Sequence, residues 1–367
     1  MPLHLQVLKL TNFKNYGFQS LEFSPRLNLI TGLNGMGKTN LLDSIYYLCM
    51  GKSHSTNDRN VVRHGEDFFR LEGLFKLGKK KEKIVAKVAP GNQKTFERND
   101  TAYPRIADHV GLLPVVFKAP DDTALALDGS EERRRFLDNT LCQLDHTYLD
   151  HLLTYNKVLQ SRNALLKQFA EQRNFNPTLL TAYNQQMLGP AQYISKKRTA
   201  FVEQFKPFFN QYYQVICGGK EAVGCEYKSQ LTSAGIAVLL EETTERDRHL
   251  QRTTIGIHKD DLLFFLNDFP LKQFASQGQL KSFVLSLKLA QYECLKQMKG
   301  LKPLLLLDDL FDKLDNERVT QLIELLFKGD FGQVFITDTH PERAADIAMN
   351  FGNGYKKFII ANGFIEV

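Results

Sequence analysis

An octapeptide near the N-terminus, Gly32-Leu33-Asn34-Gly35-Met36-Gly37-Lys38-Thr39, leaves few folds open to this chain. It fits the pattern G-x-x-x-x-G-K-[ST]. The apolar run Leu27-Asn28-Leu29-Ile30-Thr31 precedes it, and a helix is predicted from near Lys38 to about Cys49, so the motif joins a strand to a helix. That context is what the chemistry needs. Glycines let the backbone wrap until successive N–H groups face one anion, and the helix start adds its partial positive charge. Gly32, Asn34, Gly35, Gly37 and Asn40 would shape the cradle. Lys38 would reach the β- and γ-phosphates of a nucleotide, and the Thr39 hydroxyl would ligate Mg²⁺.

Two further elements complete a nucleotide site. Leu304-Leu305-Leu306-Leu307-Asp308-Asp309 is an apolar run ending in two carboxylates. The run suits a parallel strand buried on both faces. Asp308 would hold Mg²⁺ through water beside Thr39, and Asp309 would orient or deprotonate an attacking water. About 30 residues earlier, Ala275-Ser276-Gln277-Gly278-Gln279 opens an amphipathic helix carrying Leu280, Phe283, Val284, Leu287 and Leu289. Alone this reads as an ordinary Ser N-cap. After a phosphate loop and before an acidic strand end, it reads as a second anion-binding helix start.

The chain has 367 residues, room for two domains, with 43% apolar and 24% charged residues. Those values exclude a disordered chain and a collagen. No apolar run is long enough to span a membrane, and no signal peptide is read at Met1-Pro2-Leu3, so a cytoplasmic protein is expected. The five cysteines contain no CxxC pair and are read as reduced, buried thiols; the histidines show no metal-ligand spacing, so no zinc site is expected. The net charge is +6, and residues 1–120 alone carry a surplus of eight positive charges. Lys76, Lys79, Lys80, Lys81, Lys83, Lys87, Lys94 and Arg98 crowd a predicted hairpin. Such a segment either contacts DNA phosphates or is a solvated loop that blunts a sheet edge.

Residues 3–31 read as three strands, and 68–98 as strand–turn–strand. From Ser130 to about Tyr213 the pattern is helical, with Ser130 as an N-cap and breaks at Pro177, Gly189-Pro190 and Pro207, giving pieces of at most about 30 residues. A further helix is predicted over roughly 232–248. The fold class is therefore α/β, with a head formed by 1–120 and 254–367 and an inserted helical arm at 121–253.

Several stretches together resemble the ABC-type ATP-binding heads of the SMC-like repair ATPases. They are Phe13-Lys14-Asn15-Tyr16, the phosphate loop, Gly51-Lys52-Ser53-His54, Arg63-His64-Gly65, Arg133-Arg134-Arg135-Phe136-Leu137-Asp138, Gly256-Ile257-His258-Lys259-Asp260-Asp261-Leu262, Ala275 to Gln279, and Leu307 to Asp315. The resemblance covers essentially the whole chain. It implies that two heads sandwich two ATPs, the phosphate loop of one facing Ser276, Gly278 and Gln279 of the other, with Asp312 and Asp315 in a loop crossing the two-fold interface. It also implies an ATP-dependent homodimer that holds double-stranded DNA near single-strand gap junctions and works with RecR and RecO to help load RecA. ABC ATPases usually carry glutamate where Asp309 stands. The shorter reach predicts slow hydrolysis, a timer rather than a motor, and the resemblance implies a weak, DNA-dependent ATPase. The resemblance departs at Ile257, where proline is usual, and at Ser55 and Lys259, where arginine is frequent.

Secondary candidates stay open. Lys14 and Asn15 either touch the nucleotide or form a plain turn. His340, after Val334-Phe335-Ile336, either senses the γ-phosphate or is a surface histidine. Of Arg133, Arg134 and Arg135, which span about 200° of a helix, one or two should make structural pairs, with DNA contact as the alternative. Lys196-Lys197-Arg198 reads as a solvated helix face. The competing functions are a transporter ATPase subunit, a P-loop kinase and a scaffold that binds ATP without hydrolysing it. The 238 positions between Lys38 and Ser276 and the basic N-terminal third argue against the first, and the Ser276 motif against the second. Only turnover separates the DNA clamp from the third.

Overall fold

The computed structural model describes residues 2–91, 94–219, 221–232, 235–311, 316–340, 354–361 and 363–366. In chain order the strands and helices are β1 (Leu3–Phe13), β2 (Tyr16–Glu22), β3 (Leu27–Thr31), α1 (Lys38–Met50), β4 (Phe69–Leu77), β5 (Lys80–Val88), β6 (Thr95–Arg98), β7 (Thr101–Ala102), β8 (Val115–Lys118), α2 (Thr123–Leu127), α3 (Ser130–Leu144), α4 (His146–Gln172) and α5 (Pro177–Cys217). There follow β9 (Val223–Lys228), α6 (Ile236–Glu242), α7 (Thr244–Leu250), β10 (Asp261–Leu266), β11 (Phe269–Pro270), α8 (Leu271–Phe274), α9 (Gln277–Lys299), β12 (Leu304–Leu307), α10 (Asn316–Lys328), β13 (Val334–Asp338), β14 (Tyr355–Ala361) and β15 (Phe364–Glu366).

The chain forms two compact units. The first holds residues 1–123, 211–220 and 276–367, and the second 124–210 and 221–275. This division differs from the expected one in that 211–220 join the first unit and 254–275 the second. Residues 254–275 fall in the second unit because β10 pairs along its whole length with β9, from Asp261–Lys228 to Leu266–Val223.

In the first unit, an antiparallel sheet β2-β1-β4-β5-β6-β7 and a largely parallel sheet β15-β14-β3-β13-β12-β8 share one core. The helix α1 lies in that core, with Leu41, Leu42, Ile45, Tyr47, Leu48 and Cys49 fully buried. The strands β3, β12 and β13 are buried at every position, as apolar runs in a parallel sheet must be. Their register aligns the carboxyl ends: Thr31 pairs with Asp338, Ile336 with Leu307, and Leu307 with Lys118. Ligands of such sheets bind outside those ends.

One helix, α5, is longer than predicted. The 41 residues of α5 run through Pro190 and Pro207 without a break. An interior proline costs a helix about 3 kcal/mol. Burial of Met187, Ile194, Phe201, Val202, Phe205 and Phe209 outweighs that, at roughly 1.5–3 kcal/mol per large side chain. Ser130 is the first helical residue rather than the cap, which is Gly129; its hydroxyl instead accepts from Arg134 Nη1 at 2.6 Å. Arg198 is not solvated. It is 1% exposed and binds Asp138, Asp260 and the Ile257 carbonyl. The five cysteines are free thiols, four buried and Cys217 half-buried. Among the described residues no helix is long and apolar enough to cross a membrane.

Candidate functional site

The loop between β3 and α1 has the backbone the motif demands. Gly32, Gly35 and Gly37 adopt φ of 152°, 80° and 114°. A Cβ at Gly32 would meet the Ile360 carbonyl oxygen at 2.4 Å, and one at Gly37 would meet Asn15 Nδ2 at the same distance. Gly32 is therefore required by space as well as by torsion, and Gly37 by torsion. No acidic residue sits in the first turn of α1, so its N-terminus is open to an anion.

Asn34, Gly35, Gly37, Lys38, Thr39, Asn40, Pro120, Asp308 and Asp309 line one cleft of about 270 Å³. Four of the strand ends described above converge there or beside it. Lys38 Nζ rests on the carbonyls of Gly32 at 2.7 Å and Leu33 at 3.0 Å. Burial pulls its pKa below the ordinary lysine value, while Asp309, Asp308 and Asp338 oppose that shift.

The acidic strand end is locked by one hydroxyl. Thr337, on β13 and fully buried, donates to Asp308 Oδ1 at 2.5 Å and accepts from the Asp309 amide at 2.8 Å. From the other side Lys118 Nζ donates to the Asp308 carbonyl at 2.9 Å. Between these holds Asp309 takes a left-handed φ of 46°, rare for a residue with a side chain, and turns into the cleft. Burial raises the Asp308 carboxyl above the usual carboxylate range, partly offset by hydrogen bonds from Thr337 and Thr39. Its Oδ2 is buried without a hydrogen-bond partner. An unpaired buried carboxylate oxygen beside a threonine hydroxyl is the donor set a Mg²⁺ ion takes, so the residues fit that ion. Burial likewise lowers Lys118.

Lys14 and Asn15 do not line the cleft. Lys14 Nζ pairs with the buried Asp43 at 2.8 Å, and Asp43 also accepts from Ser53 Oγ and the His54 amide. Asn15 donates to the Met36 carbonyl at 3.0 Å and accepts from Asn40 Nδ2 at 2.7 Å, while the Tyr16 hydroxyl donates to the Gly37 carbonyl. This group braces the phosphate loop from behind. His340 lies just past β13, 66% exposed, with its amide on Asp338 Oδ1.

Ser276 caps α9 and Gln279 caps back, a capping box with Ser276 N on Gln279 Oε1 at 2.7 Å. Ser276 is exposed, and none of Ser276, Gly278 and Gln279 lines the cleft. Asp312 and Asp315 lie outside the described residues. In the hairpin, Lys83 pairs with Asp100, Lys87 with Glu97, Lys94 with Asp58 and Arg98 with Glu82. Lys79, Lys80 and Lys81 are exposed and have no ion pair among the described residues. Sequence reasoning missed Thr337 as the brace of the Asp308 carboxylate and the Asp309 amide, and Lys118 and Pro120 altogether. The available signal was Val115-Val116-Phe117-Lys118, a second apolar run ending in charge.

The RecF/RecN/SMC N-terminal domain family matches residues 4–356. The DNA replication and repair protein RecF of Flavobacterium johnsoniae is 44% identical over 97% of this chain and 99% of its own length. That of Bacteroides fragilis is 40% identical over 99% and 98%. A solved structure of the recombination mediator protein RecF with ATP superposes with a TM-score of 0.88 at 27% identity, covering 100% of this chain and 97% of the other. An SMC head bound to a winged-helix domain of ScpA shares the fold, with a TM-score of 0.59 at 13% identity. The phosphate loop, the acidic strand end and the capped signature helix thus sit on an SMC-like ABC-type ATPase head, and the chain belongs to the RecF family of DNA replication and repair proteins.

Proposed function

We propose that this protein is an ATP-gated DNA clamp of recombinational repair and replication in the bacterial cytoplasm. Two copies would close on two ATP molecules, each cleft completed by Ser276, Gly278 and Gln279 of the second copy. The observation that carries this reading is the exposed, capped helix start at Ser276, a ready anion site that does not line the chain's own cleft. A γ-phosphate held by both copies would favour the closed dimer, because only that state makes both sets of contacts.

Within the cleft, the loop amides and Lys38 bind and orient the phosphates. Thr39 and Asp308 would hold Mg²⁺, which supplies charge neutralisation at the β- and γ-oxygens. Asp309, aimed by Thr337 and Lys118, accepts the proton of the attacking water, and its short side chain suits slow turnover. Hydrolysis would then remove the bridge and open the clamp. The exposed lysines Lys79, Lys80 and Lys81 are available to DNA phosphates. The DNA would be duplex beside a single-strand gap, with RecR and RecO as partners in helping RecA load.

Light scattering with nucleotide titration tests the sandwich. ATP with Mg²⁺ should convert monomer to dimer and raise DNA affinity. Lys38→Met should lose both by losing ATP. Ser276→Arg should bind ATP and stay monomeric; a Ser276→Arg protein that dimerised normally would sink the reading.

A further inference from the structure

The loop from Gln251 to Asp261, in the second unit, gathers charge in an unbalanced way. Three carboxylates border it, and each is committed to an arginine. Asp247 is fully buried against Arg162 Nη1 at 2.7 Å. Asp260 is buried against Arg198 Nη1 at 3.0 Å and also accepts from the Tyr227 hydroxyl. Asp261 takes Arg133 in a bidentate pair at 2.7 and 3.0 Å. Arg198 also holds Asp138, so three arginines share four acids, and the other three cations feel these carboxylates without pairing with one.

Those cations are Arg134, Arg252 and Lys259. None has a carboxylate within ion-pair distance among the described residues. Arg134 meets only neutral acceptors, the Ser130 hydroxyl at 2.6 Å and the Asp260 carbonyl at 2.7 Å. That carbonyl belongs to the residue next to Lys259, so Arg134 is tied to the same loop. Arg252 and Lys259 are exposed. The loop is rigid: Gly256 has a φ of 128°, a Cβ there would meet the Tyr155 hydroxyl at 2.2 Å, and the Lys259 amide bonds the Gly256 carbonyl at 2.8 Å. The three charges also feel one another. Burial lowers the Lys259 ammonium first, and Arg252 and Arg134 lower it further against the smaller opposing pull of Asp247. Beside them burial, then Lys259 and Arg134, hold the His258 imidazole down at about 4.

Like charges fixed together on a rigid loop repel unless an anion lies between or over them. We propose that Arg134, Arg252 and Lys259 form an anion site for the phosphodiester backbone of duplex DNA, a second contact besides the Lys79–Lys81 hairpin. The proposal rests on the DNA-binding reading above and assigns part of that binding to the helical unit. Arg134 supplies a planar, pre-ordered donor fork, while Arg252 and Lys259 supply exposed charge on the same loop.

The test is duplex binding by fluorescence anisotropy across a salt series, with ATP and Mg²⁺ present, for wild type and for the double variant Arg252→Gln with Lys259→Gln. Each phosphate contact contributes roughly 0.9 to the slope of log affinity against log salt. The double variant should therefore lose about 2 from the slope, equally for duplexes of different sequence. It should bind ATP as wild type does. It should also melt no lower at low ionic strength, since it loses only repulsion. A wild-type slope in the double variant overturns the site while leaving DNA binding by the protein intact. A lower melting point shows that these cations serve the fold and also overturns it. Failure of wild type to bind duplex at all, at any salt, removes the underlying reading and the site with it. The paired variant Arg252→Lys with Lys259→Arg should restore the slope.

Discussion

Thr337→Val removes one hydroxyl from a fully buried position with little change of shape, and its effect can be worked out in advance. Two partners are stranded. Asp308 Oδ1, a carboxylate acceptor, loses its donor at a cost of about 2 kcal/mol, and the Asp309 amide loses a neutral bond, about 1 kcal/mol. The sum is about 3 kcal/mol against a native margin of roughly 5–15. For a unit of this size, 1 kcal/mol moves the melting temperature by about 2–4 °C, so a fall of about 6–12 °C is expected. The kinetic signature is separate. Thr337 does not line the cleft, so the KM for ATP should hardly move. Asp309 would be freed from its left-handed conformation, so kcat should fall at least tenfold, about 1.4 kcal/mol in the barrier. Thr337→Ser keeps the hydroxyl and should recover most of kcat, though not all of the stability. The assays are thermal melting and steady-state ATP turnover. If Thr337→Val melted within about 2 °C of wild type and turned over normally, the hydroxyl would not be the brace described.

Three further outcomes are expected. Replacing Lys79, Lys80 and Lys81 with Glu should weaken duplex binding and flatten its salt dependence without altering ATP affinity, as read by anisotropy; undiminished binding would return the hairpin to a solvated loop. Asp309→Asn should bind ATP and dimerise but turn over more slowly, and unchanged turnover would remove Asp309 from the proton-accepting role. His109 is buried, with Nε2 on the Leu48 carbonyl, and burial depresses its pKa to about 4. Between pH 6.5 and 4 the unfolded chain therefore takes up a proton that the folded one refuses, and stability should fall by up to about 3 kcal/mol as pH drops through that window. Melting of wild type and His109→Gln over a pH series checks this, and equal steepness would count against it.

Much of the head was legible because its signals are local. A strand, three glycines and a helix start within a dozen residues determine the phosphate loop, and Leu304 to Asp308 carries its own burial pattern. Ser276 and Gln279, three apart, announce their capping box directly. What escaped was decided by residues distant in sequence. Thr337 reaches Asp308 across neighbouring strands, and Lys118 reaches the same residue from a strand some 190 positions earlier. Asn15 and Lys14, expected either to touch the nucleotide or to form a plain turn, hold Met36, Asn40 and Asp43 instead, contacts that no local pattern announces. The prolines of α5 misled because a local rule assigns them a break, while the packing of their neighbours keeps the helix whole. Arg198 misled likewise: two lysines before it look solvated, and only the fold brings Asp138 and Asp260 to it.

On the sandwich reading Ser276 would perform two tasks, and one variant separates them. As a cap its Oγ accepts from the Gln279 amide, at 3.3 Å, which leaves the hydroxyl proton free to be donated to an anion. A carboxylate at this position would cap as well as serine, and its charge would favour the helix start. It could not donate to a phosphate and would repel one. Ser276→Asp should therefore fold with a melting temperature equal to or above wild type, bind ATP in its own cleft with unchanged affinity, and fail to dimerise. Ser276→Ala, by contrast, should lose about 1 kcal/mol of capping along with part of the dimer. If Ser276→Asp dimerised with ATP as readily as wild type, the hydroxyl would be a cap and nothing more. If it failed to dimerise but also melted lower, the defect would lie in the helix rather than in recognition of the second copy's phosphates. Only loss of dimer without loss of stability assigns the serine proton to the nucleotide across the interface.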